Sequence, residues 1–221
     1  MKLPSLLILA AALAATLMVP AHAAEAAKEG AAPAAAAPKV AVKPDLAKGE
    51  ALYGQMCASC HGADGNSSVP AQPKLAEQHP HYLVKQLQEF KSGKRKNAIM
   101  QGFAAGLSDD DMKNVSFWLA TKKQKPGFAK DPALVVKGER LFRGGDTNRE
   151  IPACAGCHSP NGAGIPTQFP RLSGQFADYT ASTLIGFREG TRANSPQMAG
   201  VAKYMNDHDI QAVADYIAGL R

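Results

Sequence analysis

The pattern of apolar and polar positions sets the start of the chain apart from the rest. Residues 6–19 form an unbroken apolar run behind a basic start, and a small-x-small sequence follows at residues 21–23. This order is typical of a secretory signal peptide, which predicts cleavage after Ala23. The alternative is an uncleaved anchor, but the run is too short for a comfortable membrane span of about 20 residues. We therefore predict a signal peptide at residues 1–23.

Residues 24–44 have a different composition, which is almost entirely Ala, Pro, Lys, Glu and Val without an aromatic residue. Such a segment buries too little apolar surface to offset the entropy that ordering it would cost. We predict a flexible tether here. The rest of the chain, from Asp45, has a length that suits one or two small domains.

Helical apolar spacing beyond Asp45 predicts six main helices, three in each half. The first and middle helices of the two halves are expected at about Leu46–Met56, Pro80–Ser92, Leu134–Phe142 and Ala177–Glu189. The last helix of each half begins at a capping box, formed by Ser108 with Asp111 and by Asn206 with Asp209. The pattern predicts an all-α fold in which long Gly- and Pro-containing loops join the helices.

The two halves repeat one another in sequence. From the first cysteine of each half to Asn97 and Asn194, the offset stays at 97 residues without a gap. One inserted residue then brings Met100 opposite Met198, and the second half has extra residues at 144–151. We predict a duplicated domain, with domain 1 at 45–124, a linker at 125–131 and domain 2 at 132–221.

All four cysteines lie in two C-x-x-C-H motifs, Cys57, Cys60 and His61 in the first half and Cys154, Cys157 and His158 in the second. This is the attachment pattern of haem c, in which both thiols form thioethers and the histidine binds the iron. Disulfides would not explain a histidine after both pairs. Structural zinc sites take ligands at other spacings, and a thioredoxin-like pair would need a βαβ context. We therefore predict two covalently bound haem c groups.

The sixth ligand of each iron is predicted to be a methionine, paired with the motif histidine of the same half. Met100 and Met198 occupy matching positions, which we assign to the loop before the last helix. Met112 lies on the apolar stripe of that helix, where a methionine usually packs in the core. His79 and His81 have no histidine counterpart in the second half. The alternative for the two matched methionines is that they too only pack.

Four further residues are candidates for roles around the haem. The carbonyls of Pro73 and Pro170 are expected to accept a hydrogen bond from the second ring nitrogen of the iron-binding histidines, which would fix their tautomer. The alternative is that both prolines only break a loop. Tyr82 and Tyr179 are expected to bond the haem propionates, or else to pack at a helix start.

Two glycines are expected to serve packing. Gly49 and Gly138 each lie four residues before an aromatic residue on the first helix of their half. We expect them to let the last helix of the same half approach closely, with Trp118 and Tyr216 as its contacts.

The net charge of the chain is +6, with a sequence pI of about 9.1. Four haem propionates would reduce this surplus, so we expect no nucleic acid partner. Lys91, Lys94, Arg95 and Lys96 form a local basic run before Met100. A solvated turn is the favoured interpretation of this run, and a docking patch for an acidic partner is the alternative.

The motifs K-G-E, C-x-x-C-H-G-x-x-G, P-[KR]-L and M-x-G-[FV]-A, in tandem copies, resemble the dihaem cytochrome c4 family over about residues 46–221. The second copy departs mildly from the pattern, with Ser159 and Pro160 after its histidine. The resemblance implies two tandem class I cytochrome c domains, each with three main helices wrapped around one covalently bound haem. It also implies two haems that face each other across a pseudo-two-fold interface, and a periplasmic electron carrier that takes electrons from a redox protein and delivers them to a terminal oxidase.

The predicted function is one-electron transfer and not catalysis. A haem peroxidase, the main rival, needs an open or displaceable iron position, whereas both halves offer a methionine. A third interpretation is a haem subunit of a larger redox complex, which the sequence does not separate from a free carrier. No segment after residue 23 is apolar enough to cross a bilayer, so association with a membrane complex would be peripheral.

Overall fold

The computed structural model describes residues 43–221. The predicted signal peptide and all but the last two residues of the predicted tether lie outside this described part. The described residues belong to one compact unit and contain no β-strand, apart from two isolated bridges, Asp146 with Ile151 and Ile165 with Phe169. None of their helices is long and apolar enough to span a membrane. The predicted all-α fold class is confirmed.

The first repeat contains the three main helices that the sequence predicts and two shorter ones. Its helices are α1 (Leu46–Met56), α2 (Ala58–His61), α3 (Pro80–Lys91), α4 (Ala98–Ala105) and α5 (Asp109–Ala120). The predicted capping box is present, because Ser108 and Asp111 each accept the other's backbone N–H at the start of α5. Helix α5 packs against α1 and α3, which places it at the centre of this repeat.

The second repeat has the same order of helices. They are α6 (Pro132–Gly144), α7 (Ala155–His158), α8 (Ala177–Arg188), α9 (Pro196–Ala202) and α10 (Asp207–Gly219), with a 3₁₀ turn at Thr147–Arg149. Helix α6 is longer than predicted at both ends. It begins earlier because the Asp131 side chain accepts the N–H of Ala133 and Leu134, and proline suits the first helical position.

The predicted loop position of Met100 and Met198 is wrong. Each methionine is the third residue of a short helix, α4 or α9. The side chain of Asn97 accepts the N–H of Met100 at 2.9 Å, and Ser195 accepts that of Met198 at 3.3 Å. These helices are short and rich in Ala and Gly, so they lack apolar periodicity and only the N-cap residue signals them.

A glycine marks the crossing of the first and last main helices in each repeat, as predicted. A Cβ atom at Gly49 would overlap the backbone carbonyl of Asn114 on α5. The rings of Tyr53 and Trp118 pack beside this crossing with centroids 4.8 Å apart. The equivalent positions in the second repeat are Gly138, Ala212, Phe142 and Tyr216. The glycines therefore hold the helix pairs that carry each core.

The segment between the repeats is hydrogen-bonded to both of them. The backbone N–H of Lys125 donates to Asn66 Oδ1 of the first repeat at 2.7 Å. The N–H of Lys130 donates to the Asp215 carboxylate of the second repeat, at 2.9 Å to Oδ1. Residues 125–131 are therefore tied down at both ends.

Candidate functional site

The motif histidines end two four-residue helices, α2 and α7, and have the same hydrogen bond. His61 Nδ1 donates to the carbonyl of Pro73 at 3.0 Å, and His158 Nδ1 donates to that of Pro170 at 2.9 Å. The predicted acceptor role of both prolines is confirmed. Burial lowers the pKa of each imidazole, and the bond to proline only partly offsets this. A neutral ring with Nδ1 donating keeps the Nε2 lone pair available for a metal.

The cysteines of both motifs are free thiols, so no disulfide joins them. Cys57 and Cys154 pack against the cores of their own repeats. Burial raises the pKa of each of these two thiols to about 11, so both are protonated at neutral pH. In residues 43–221 no group of three or more His, Cys, Asp and Glu side chains is arranged to hold a metal ion.

The methionines divide into buried and partly exposed positions. Met112 and Met205 are 0 % and 3 % exposed, so both fill the core, as predicted for Met112. Met100 and Met198 are half-buried at the start of α4 and α9, and Met198 also contacts the core of its repeat. Their assignment as iron ligands stays a prediction.

The residues of both motifs fit a haem c. Each repeat has two unpaired thiols at C-x-x-C spacing and a neutral imidazole whose Nδ1 is already satisfied. Each also presents a thioether that core packing does not enclose. Thioether attachment and His/Met ligation require this set of groups.

The contact between the repeats is built from reciprocal glutamine bonds that the sequence analysis did not anticipate. Gln175 accepts the N–H of Lys74 at 3.0 Å and donates to its carbonyl at 2.9 Å. Gln78 makes the same pair of bonds with Arg171, both at 2.9 Å. Gln78 and Gln175 are matched positions, as are Lys74 and Arg171. The recurrence of these residues in both halves is the signal that could have revealed a symmetric contact.

A second reciprocal pair joins arginines to tyrosines across the same contact. Arg95 Nη2 donates to the Tyr179 hydroxyl at 2.9 Å, and Arg192 Nη2 donates to that of Tyr82 at 3.2 Å. The predicted tyrosine contact with haem propionates stays a prediction. Arg95 also stacks on the Phe90 ring at 4.5 Å. It therefore serves the contact between the repeats, so the favoured interpretation of a solvated turn does not hold for this residue, and the docking patch stays an untested alternative.

The lysines of the same basic run have separate partners. Lys91 Nζ donates to the carbonyl of Leu107 at 2.5 Å, and Lys94 Nζ lies 3.4 Å from Glu89 Oε1. Lys96 is exposed. The run is thus not one continuous charged surface.

These features define a c-type cytochrome made of two repeated domains. The family model described as cytochrome c matches residues 46–123 and 135–221. A cytochrome c4 from Pseudomonas aeruginosa is 47 % identical over 182 residues, which cover 79 % of this chain and 90 % of that protein. A thiosulfate dehydrogenase electron acceptor from Stutzerimonas stutzeri is 39 % identical and covers 82 % of this chain and 90 % of its own length.

The solved structures agree with these relatives. The crystal structure of reduced recombinant cytochrome c4 from Pseudomonas stutzeri has a TM-score of 0.77 and 43 % identity, and covers 81 % of this chain and all of that one. The chain belongs to the dihaem cytochrome c4 family, whose members are electron-transfer proteins. It is accordingly a dihaem electron-carrier cytochrome and not an enzyme.

Proposed function

We propose that this chain carries single electrons in the periplasm through two covalently bound haem c groups. Cys57 and Cys60 would hold the first haem, and Cys154 and Cys157 the second. The axial iron ligands would be His61 with Met100, and His158 with Met198. The observation that carries the proposal is the matched histidine geometry, in which both Nδ1 atoms are bonded to a proline carbonyl.

The side chains of each repeat would hold the iron and keep other ligands away from it. The hydrogen bond to proline fixes the histidine ring, so that Nε2 would be the atom that binds. The methionine would be the second protein ligand, which would leave no open position for a substrate. When bound, haem c supplies an iron that accepts and releases one electron. Each repeat would therefore store one electron, and the chain would store two.

The contact between the repeats keeps the two sites in one rigid arrangement. The glutamine bonds to the backbone of Lys74 are buried, and the Lys74 ammonium also donates to the carbonyls of Lys125 and Gly174. Burial lowers the pKa of this ammonium. A buried cation that is held by two carbonyls and lies over the Phe176 ring tolerates little displacement, because losing those partners costs free energy.

The periplasmic location is supported by the signal peptide pattern at residues 1–23. The proposed electron donor is a thiosulfate dehydrogenase, because relatives from Stutzerimonas stutzeri and Thiomonas intermedia, 39 % and 37 % identical, are named thiosulfate dehydrogenase electron acceptors. A terminal oxidase is the proposed acceptor, as the family resemblance implies. Association with a membrane-bound oxidase would be peripheral.

A reductive titration of the purified protein tests the proposal. We expect two electrons per chain, and one electron in the variant Cys154→Ser/Cys157→Ser, which keeps only the first site. The matched variant Cys57→Ser/Cys60→Ser should keep only the second. Uptake of a single electron by fully haem-loaded wild type would contradict the proposal. Stopped-flow mixing with a thiosulfate dehydrogenase and with a terminal oxidase tests the partners separately.

A further inference from the structure

The loops that follow the motif histidines differ between the repeats at one matched position. At the offset of 97 residues, Gln72 corresponds to Phe169. Each of these residues directly precedes the proline whose carbonyl accepts a hydrogen bond from Nδ1 of the motif histidine. The same position of the loop is therefore an amide in the first repeat and an aromatic ring in the second.

In the second repeat, the ring of Phe169 lies beside the imidazole. The centroids of the Phe169 and His158 rings are 6.0 Å apart, with an angle of 71° between the ring planes. Two backbone hydrogen bonds between Ile165 and Phe169, at 3.0 and 2.8 Å, hold this end of the loop. The N–H of Gly164 also donates to the carbonyl of His158 at 2.8 Å. The loop thus gives the second imidazole an apolar neighbour in a defined position.

In the first repeat, the side chain of Gln72 brings a polar atom without a partner to the matching position. Its Oε1 atom is buried, and no donor within residues 43–221 reaches it. Iron-bound haem c has no N–H group, and ionised carboxylates only accept hydrogen bonds, so the cofactor would not supply a donor either. A buried acceptor without a donor costs free energy, so fold stability does not explain this amide.

We propose that Gln72 and Phe169, acting through the motif histidines, make the first haem iron harder to reduce than the second. The inference rests on the proposed function, because it requires one haem in each repeat. The oxidised haem carries one more positive charge than the reduced haem. A buried amide oxygen that no donor neutralises stabilises this charge, whereas an apolar ring does not. An electron that enters the chain therefore settles on the second haem.

A redox titration of the haem-loaded protein, followed by its absorption, measures both potentials. We expect two separate one-electron steps in wild type. Gln72→Leu removes the oxygen at a similar volume, so it should raise the lower potential and leave the upper one in place. The expected change is about threefold in the equilibrium constant for reduction, or about 28 mV for one electron. Phe169→Gln should lower the upper potential, so each variant should narrow the gap.

Two variants of the second loop separate polarity from packing. Phe169→Leu keeps an apolar side chain and should move the upper potential less than Phe169→Gln does. Gln168→Ala changes the exposed neighbour of Phe169 and should move neither potential. If Phe169→Gln fails to fold, Gln72→Leu decides, because that variant removes only an acceptor without a donor.

The proposal has outcomes that separate it from the carrier function. It is overturned if the two steps of wild type coincide, or if Gln72→Leu does not raise the lower potential. Either result would leave the carrier function intact, because the chain would still take up two electrons. Uptake of fewer than two electrons by the fully haem-loaded protein would contradict the proposed function itself.

Discussion

The first and second repeats begin their last helix with the same capping box but surround it differently. In the first repeat, Asp111 bonds to Ser108 and makes no ion pair within the described residues. In the second repeat, Asp209 is 0 % exposed, and Lys137 Nζ lies 2.8 Å from its Oδ1. Arg149, from the extra residues 144–151, donates to the other carboxylate oxygen at 2.5 Å.

This difference shows what the extra residues do. The cations lower the pKa of Asp209 to about 2, although burial acts in the opposite direction. Residues 144–151 lead into the second cysteine motif, so the cluster couples the start of α10 to the chain segment before Cys154. The capping aspartate of the first repeat contributes little to stability because it lies on the surface. The equivalent aspartate of the second repeat is the centre of a buried ion-pair cluster.

Among the changes that test this difference between the repeats, replacing Asp209 should have the largest effect on stability. Asp209→Ala should lower the free energy of unfolding by about 3 kcal/mol, because it leaves the partly buried Lys137 ammonium without a carboxylate and Arg149 with Asp146 alone. Asp111→Ala should cost only about 1 kcal/mol, since it removes a cap and no ion pair. Urea unfolding of the haem-loaded variants measures both. Equal losses would contradict the distinction between the repeats.

The pH dependence of the folding stability tests the same role of Asp209. Because the pKa of Asp209 is lowered from 3.8 to about 2, its contribution to stability is full above about pH 4. The contribution falls as the pH drops from about 4 toward 2. Asp209→Ala should therefore lose less stability than wild type does over that range. Parallel curves for the two proteins would show that the carboxylate does not carry this dependence.

Replacing the glycine at either helix crossing should lower the stability of the protein by a similar amount, which is slightly less than the loss expected for Asp209→Ala. Gly49→Ala and Gly138→Ala should each destabilise the protein by about 2–3 kcal/mol, because the added methyl group meets a backbone carbonyl. Gly138→Ala should cost more, since its Cβ would lie 2.6 Å from Tyr216 Cβ, against 3.1 Å for Gly49 and Trp118 Cβ. Thermal unfolding measures the order.

A glycine of the same helix controls for backbone effects. Gly54 has nothing within 4 Å of an added Cβ, so Gly54→Ala should be neutral or stabilise α1. Destabilisation by Gly54→Ala equal to that of Gly49→Ala would show that the loss does not come from the close helix crossing.

The contact between the repeats should show the smallest and most symmetric effects. Gln78→Ala and Gln175→Ala each remove two hydrogen bonds to the backbone of the other repeat. Each should cost about 1–2 kcal/mol, and the two losses should agree closely. Gln88→Ala, an exposed residue of α3, should change the stability little. A large difference between the two glutamines would show that the contact is not reciprocal.

Much of the helical framework follows from the sequence, because apolar spacing and capping boxes are local signals. The main helices α1, α3 and α8 end within about one residue of their predicted bounds. The glycine crossings and the proline acceptors also follow, since the repeat shows each of them twice. These features depend on short-range geometry that a residue pattern records.

The contact between the repeats could not be derived in this way. Arg95 belongs to a basic run that looks like a solvated surface, yet it donates to Tyr179, a residue 84 positions away. The partner of a polar side chain depends on how the repeats pack, which no local period encodes.

The most direct test of the account is the absorption of the ferric protein at long wavelength, where iron bonded to methionine absorbs weakly. Met100→Ala and Met198→Ala should each remove half of this absorption and lower the potential of one haem, because the thioether raises the potential. Met112→Leu, a core change, should leave the absorption intact. An unchanged spectrum and unchanged potentials in Met100→Ala would contradict the account.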